Sequence, residues 1–157
     1  MSTANRMSGQ SILSDVQRAM LAAVLNRIVP AAGDMPAAGD LGIAGFVESV
    51  AAGSTGKRRT LVDGLVEIAL AASERGGSFA ALSEAAQIDA LRAVETSSPG
   101  FFQELVTQTY RGYYTDETVC RALGYRPPNR DDYDPLPFDQ SLLDPVRQRG
   151  QVWTDAG

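Results

Sequence analysis

Histidine is missing altogether from the 157 residues, and cysteine occurs once, as Cys120. The first absence removes the commonest general base, metal ligand and haem ligand. The second removes an internal disulfide, and also a thiolate zinc site or iron-sulfur cluster held by this chain alone. Aromatic residues make up only 7% of the chain, and no run of alternating β-branched residues marks a strand. Basic charge is scarce as well: 14 Lys and Arg stand against 19 Asp and Glu, a formal net charge of -5. Such a balance offers no electrostatic footprint to nucleic acid, whose binding rests on phosphate contacts. The longest apolar runs, such as Ala19 to Leu25 and Ile68 to Ala72, fall far short of the ~20 residues that cross a bilayer. No membrane insertion is expected. The N-terminus shows no basic region followed by an apolar one, so the expected compartment is the cytoplasm.

What is present is Ala, Leu and Val, in a chain that is 44% hydrophobic. A domain of this length buries roughly 70% of the surface its unfolded chain exposes, enough for one core. The expected fold is all-α, a single compact bundle of about five or six helices with an extended Pro-rich C-terminal tail. Residues 1–13 read as a flexible leader, 14–125 as the helical domain and 126–157 as the tail.

Local signals place the helices. Ser14 followed by Gln17 is a capping-box pattern, and Val16, Met20, Val24 and Ile28 recur at helical spacing, which predicts a helix over Asp15 to Ile28 ended by Pro30. A short helix is expected over Ile43 to Ala52, with Phe46, Val47 and Val50 apolar and Gly53 as its stop. The longest is expected from about Lys57 to Arg75, where Leu61, Leu65, Ile68 and Ala72 share a face and Gly76 and Gly77 break it. Another runs over about Glu84 to Glu95, with Ile88, Leu91 and Val94 inward. Pro99 then sits where a helix begins, followed at helical spacing by Phe101, Phe102, Leu105, Val106, Thr109, Tyr110 and Tyr113. A last short helix spans Asp116 to Leu123, with Thr115 as its expected N-cap and Gly124 as its end.

Beyond Gly124, five of the 8 prolines and six aspartates crowd a stretch with little periodicity. Disordered linkers are poor in large apolar groups, yet this stretch carries Leu136, Phe138, Leu142 and Trp153. It reads as a segment made to lie on a surface.

Three motifs imitate catalytic or metal sites. Ser54 to Lys57 spells Ser-x-x-Lys, but the companion elements of serine acyl-enzymes are missing. As a phosphate loop it has Ala51 in place of the first glycine and Arg58 in place of the magnesium-binding hydroxyl. It reads as a helix-entry turn with solvated Lys57, Arg58 and Arg59. Asp131, Asp132 and Asp134 lack the glycine and bidentate glutamate of a calcium loop and read as a solvated acidic segment. Cys120 has no histidine to activate it and reads as a small hydrophobe. An enzyme working through carboxylates alone, with Glu67 or Glu104 as base, is the remaining catalytic reading.

Tyr110, Arg111, Tyr113, Tyr114 and Tyr125 place four of the 5 tyrosines within sixteen positions. Core packing is one reading. The other is a partner interface, because Tyr and Arg dominate interface hot spots and Gly112 permits close approach. Leu136, Phe138, Leu142 and Trp153 of the tail join this cluster as candidate interface residues.

Here the chain resembles the gluconate 2-dehydrogenase subunit 3 family, the small subunits of flavin-dependent dehydrogenases whose large subunit is of the glucose-methanol-choline (GMC) oxidoreductase type. The residues carrying the resemblance are Leu25-Asn26-Arg27-Ile28-Val29-Pro30, Gly42 to Phe46, Phe79 with Leu82 and Gln87, Phe101-Phe102 with Leu105, Gly112-Tyr113-Tyr114-Thr115 and Leu123-Gly124-Tyr125. The resemblance implies a non-catalytic small subunit that stabilises and assembles an FAD-dependent catalytic subunit, with FAD on the partner and no cofactor or metal in this chain. A transient assembly chaperone that leaves once the flavoprotein is loaded is the alternative. Many members begin with a twin-arginine export signal and act in the periplasm; here the single Arg-Arg pair, Arg58-Arg59, is internal.

Overall fold

In the computed structural model, which describes residues 11–125 and 139–150, the regular elements are helical, with one isolated antiparallel bridge between Ala32 and Met35. The helices are α1 (Asp15–Ile28), α2 (Ile43–Ala52), α3 (Thr55–Ser73), α4 (Glu84–Ser97), α5 (Pro99–Thr115), α6 (Glu117–Ala122) and α7 (Asp144–Arg149). Short 3-10 turns occupy Ala38–Leu41, Phe79–Ala81 and Gln140–Leu143. The all-α bundle expected from the sequence is therefore the fold observed. The chain divides after Tyr125 into two units, Met1–Tyr125 and Arg126–Gly157.

In the first unit, helix starts are set by short polar side chains. Ser14 and Gln17 form the full capping box, each satisfying the other's backbone N–H (3.2 and 2.9 Å). Ser54 accepts from Lys57 N–H at 3.2 Å, so α3 begins at Thr55, two residues before its expected start. Asp116, not Thr115, caps α6: its Oδ1 accepts from the N–H of Thr118 (2.8 Å) and Val119 (3.4 Å). The Thr115 hydroxyl is directed backwards and donates to the carbonyl of Arg111 at 2.8 Å.

The core gathers Leu21, Val24 and Leu25 of α1, Val47 of α2, Leu65 and Ile68 of α3, Val94 of α4, Leu105 of α5 and Val119 of α6. Burying each of these aliphatic side chains contributes about 2 kcal/mol. The inward stripe of α1 differs from expectation. Val16 is 80% exposed, whereas Leu21 and Leu25 are fully buried. Polar residues (Asp15, Gln17, Arg18, Asn26 and Arg27) and apolar ones are mixed around this helix, so periodicity leaves its rotation open, and packing against α2 and the turn Ala38–Leu41 decides it. Ser11 to Leu13, read as the end of the leader, are held in place, with Leu13 in the core.

α3 packs against α2, α4 and α5. Its approach to α5 depends on Gly64, where an added Cβ would land on the ring of buried Phe101. Gly45 of α2 faces open space instead. Gly64→Ala is expected to destabilise the fold by about 1–3 kcal/mol through overpacking, in spite of alanine's better helix propensity. Gly45→Ala is expected to stabilise it by about 0.5–1 kcal/mol. Urea midpoints of the two variants check this, and shifts of the same sign would contradict the close approach.

The second unit is described over residues 139–150. These are not extended. Asp139 Oδ1 accepts from Ser141 N–H at 2.9 Å and starts the turn Gln140–Leu143, which leads into α7. Pro145 lies at the helix start, where a missing N–H costs nothing. Asp144 in the first turn and Arg147 and Arg149 in the last complement the helix dipole. One of the prolines of the expected extended tail thus opens a helix.

Candidate partner-binding face

α5 positions the tyrosine cluster. Phe101, Leu105, Gln108, Thr109, Gly112 and Tyr113 form its buried stripe. At Gly112 an added Cβ would sit 2.8 Å from Ile43 Cγ2 and 2.7 Å from Phe46 Cδ1, so the glycine sets how closely α5 lies on α2. Tyr113, read from sequence as an interface residue, belongs to the core instead. It is 2% exposed, and its hydroxyl donates to the carbonyl of Pro36 at 2.8 Å. Burial, with smaller effects from Tyr114 and Asp116, pushes its phenol pKa up.

Tyr110 and Tyr114 lie one turn apart on the outside of α5, 42% and 54% exposed. Their rings stack with centroids 6.0 Å apart and planes 10° from parallel. The Tyr113 ring meets Tyr114 edge-on at 5.4 Å and 84°. A ring pair ordered by its own helix and backed by a core residue loses little freedom on docking, a property of interface anchors. Arg111 is exposed next to Tyr110 in the chain.

α6 brings further apolar surface to this end. Buried Val119 anchors it, the Cys120 thiol donates to the Tyr114 carbonyl (3.3 Å), and Tyr125 N–H donates to the Cys120 carbonyl (2.8 Å). Leu123 and Tyr125 follow as exposed side chains. On the far side of Tyr110, a cleft of about 270 Å³ between α1, α4 and α5 is lined by Ile28, Ile88, Leu91, Phe102 and Val106. Sequence reading identified Tyr110, Arg111, Tyr114 and Tyr125, which the structure leaves exposed. Leu123 enters there only as part of the family resemblance, not as an interface residue, and the cleft is not foreseen. Leu142 falls in the turn Gln140–Leu143, while Leu136, Phe138 and Trp153 lie outside the described residues. So do Asp131, Asp132 and Asp134.

The carboxylates considered as bases are engaged in packing. Glu67 Oε2 accepts from the hydroxyls of Ser98 (2.6 Å) and Ser97 (3.3 Å), which ties α3 to the junction of α4 and α5. Glu104 Oε1 accepts from Gln108 Nε2 at 2.9 Å. Among the described residues, no three Cys, Asp or Glu side chains converge as metal ligands, and no helix is long and apolar enough to cross a membrane.

Glu48 is a feature that sequence reading passed over. It interrupts the inward face of α2 between Val47 and Ala51. Its Oε1 accepts from the N–H groups of Ile12 (2.9 Å) and Leu13 (3.1 Å) and from the Ser11 hydroxyl (2.9 Å), and its Oε2 accepts from Arg18 Nε at 2.9 Å. Arg18 and these donors, outweighing burial, draw its pKa from 4.5 down to about 2. A carboxylate on an otherwise apolar helical stripe was the available signal.

The helical body thus displays an ordered pair of aromatic rings on its surface. The chain belongs to the gluconate 2-dehydrogenase subunit 3 family, whose model matches residues 15–130. That family is one of small subunits of a dehydrogenase complex. Neither the curated proteins nor the solved structures contain a match to the chain. Most of the residues that carry the family resemblance shape the fold. Asn26 Oδ1 accepts from Gly39 N–H at 2.6 Å, Arg27 pairs with Glu84 at 2.9 Å, and Gln87 Nε2 donates to the Phe79 carbonyl at 2.8 Å.

Proposed function

We propose that this chain is the non-catalytic small subunit of an FAD-dependent dehydrogenase of GMC type, which it stabilises and helps to assemble. The family match over residues 15–130 carries this reading. FAD and the reacting groups belong to the partner, this chain holds no cofactor of its own, and the cytoplasm is the proposed compartment. The stacked Tyr110–Tyr114 pair, with Leu123 and Tyr125, forms the proposed docking face, whereas Arg111 lines the groove on the other flank of α5. The tail is proposed to bind the same partner by its own residues.

Co-expression with a GMC-type flavoprotein from the same genome tests the assignment. The two chains are expected to co-purify at fixed stoichiometry after full flavin loading, while this chain alone is colourless. Release of the small chain once FAD is bound would favour the transient chaperone. A flavoprotein that loads and stays stable without it would overturn both.

The docking face has its own test. Tyr114→Ala is expected to weaken the complex by about 2 kcal/mol and to leave melting nearly unchanged, because the ring is exposed. Tyr113→Phe, which removes the bond to Pro36, is expected to lower stability by about 1 kcal/mol with affinity unchanged. Affinity titrations and thermal melts of both variants decide, and the reversed pattern would move the interface elsewhere.

A further inference from the structure

On the opposite flank of its buried stripe, α5 borders an open groove of about 650 Å³ shared with α2 and the first turns of α3. The floor is apolar and includes Val47, Val50, Leu61, Phe101 and Leu105. The charged side chains on its lining are Lys57, Arg111 and Glu104. Glu104 is already taken up by Gln108, which in turn accepts from Arg111 at 3.4 Å. Gln108 is 5% exposed, so this chain of contacts is fixed in place. Neither Lys57 nor Arg111 forms an ion pair among the described residues.

Lys57 and Arg111 against Glu104 leave the groove lining with a net positive charge in a chain of net charge -5. The groove's charge also opposes its own helix. The first turn of α3 holds Lys57 and no acidic residue, although a helix N-terminus favours anions. A carboxylate arriving from outside relieves that mismatch, and an apolar side chain beside it covers the floor.

We propose that this groove docks an apolar, carboxylate-bearing segment of the flavoprotein subunit, an inference that rests on the partner reading above. The Asp or Glu of that segment meets Lys57 and Arg111, and its apolar side chains fill the floor. At about 100° per residue, Tyr110 and the groove-lining Glu104, Gln108 and Arg111 fall on different sides of α5. The partner therefore holds that helix from both flanks.

The test uses the full-length chain and the flavoprotein that co-purifies with it. Lys57→Glu combined with Arg111→Glu is expected to weaken the complex about tenfold or more at low salt. Wild-type affinity is expected to fall between about 50 mM and about 500 mM salt, while that of the double variant does not. Should the double variant melt early, p-benzoylphenylalanine in place of exposed Thr107 on the groove lining decides in an otherwise native chain. A photo-crosslink to a flavoprotein peptide with Asp or Glu beside apolar residues supports the proposal. Crosslinks to residues 126–157 of the same chain, to a second copy or to no protein overturn it, as do unchanged affinity and salt dependence. If the wild type binds no flavoprotein at all, the partner reading fails with it; if only the groove variant is without effect, the groove inference alone falls.

Discussion

Deleting residues 126–157 is expected to dissolve the complex with the flavoprotein while the helical circular dichroism of the remaining chain stays intact. The second half of this expectation follows from the core, whose buried members among the described residues run from Leu13 to Val119. The first half follows from the composition of the deleted stretch, with Leu136, Phe138, Leu142 and Trp153 set among prolines and aspartates. Each apolar side chain can contribute about 2 kcal/mol when buried on a partner, before ordering costs, and prolines reduce the freedom that is lost. Fully drawn out, thirty-two residues would reach about 100 Å at ~3.3 Å per residue. The turn and helix over 140–149 shorten that to about 90 Å, still well beyond a helical body of this size. Pull-down of the truncated chain, with dichroism as control, reads both halves. A truncated chain that unfolds would make the tail part of its own domain's stability, and one that binds at full affinity would remove it from the interface.

Glu48→Gln is expected to destabilise the helical domain at neutral pH and to make it indifferent to mild acid. The folded carboxyl gives up its proton near pH 2 and the free one near 4.5. A group with a depressed folded pKa stabilises above its unfolded value, and that stability drains away as pH falls from about 4.5 toward about 2. The full shift corresponds to about 3 kcal/mol. Arg18, its strongest partner, has a side chain 36% open to solvent, so screening brings the expected loss to about 2 kcal/mol. Urea midpoints at pH 7, 4 and 2.5 measure it. The gap between wild type and variant should narrow as pH falls, and a constant gap would mean that Glu48 acts through packing alone. The same clamp holds Ser11 to Leu13 on α2, so the variant is also expected to free that segment.

Helix positions were legible because their signals are local. The capping box of Ser14 and Gln17, Pro99 at the start of α5 and the 3.6-residue stripes of α3 and α4 act within one or two turns of chain. The tyrosine cluster was legible as a cluster but not as a division of labour. Tyr113 and Tyr114 are neighbours with identical side chains, yet one bonds to Pro36 inside the core and the other stacks on Tyr110 outside it. That difference depends on where Ile43 and Phe46 meet Gly112.

By itself the sequence determined the helical class, the limits of α1 to α6 to within a few residues, the lack of histidine and of a second cysteine for an internal disulfide, and a family membership that the match over residues 15–130 upholds. Tertiary structure alone decided which side of α1 faces inward, which tyrosines are displayed, that Glu48 clamps the N-terminal segment, and that Lys57 and Arg111 share one groove. The reason is range. Caps and periodicity are contacts between residues three or four apart, which a sequence states directly. Glu48 to Leu13, Tyr113 to Pro36 and Lys57 to Arg111 join positions tens of residues apart, and only the packing of helices on one another brings them together.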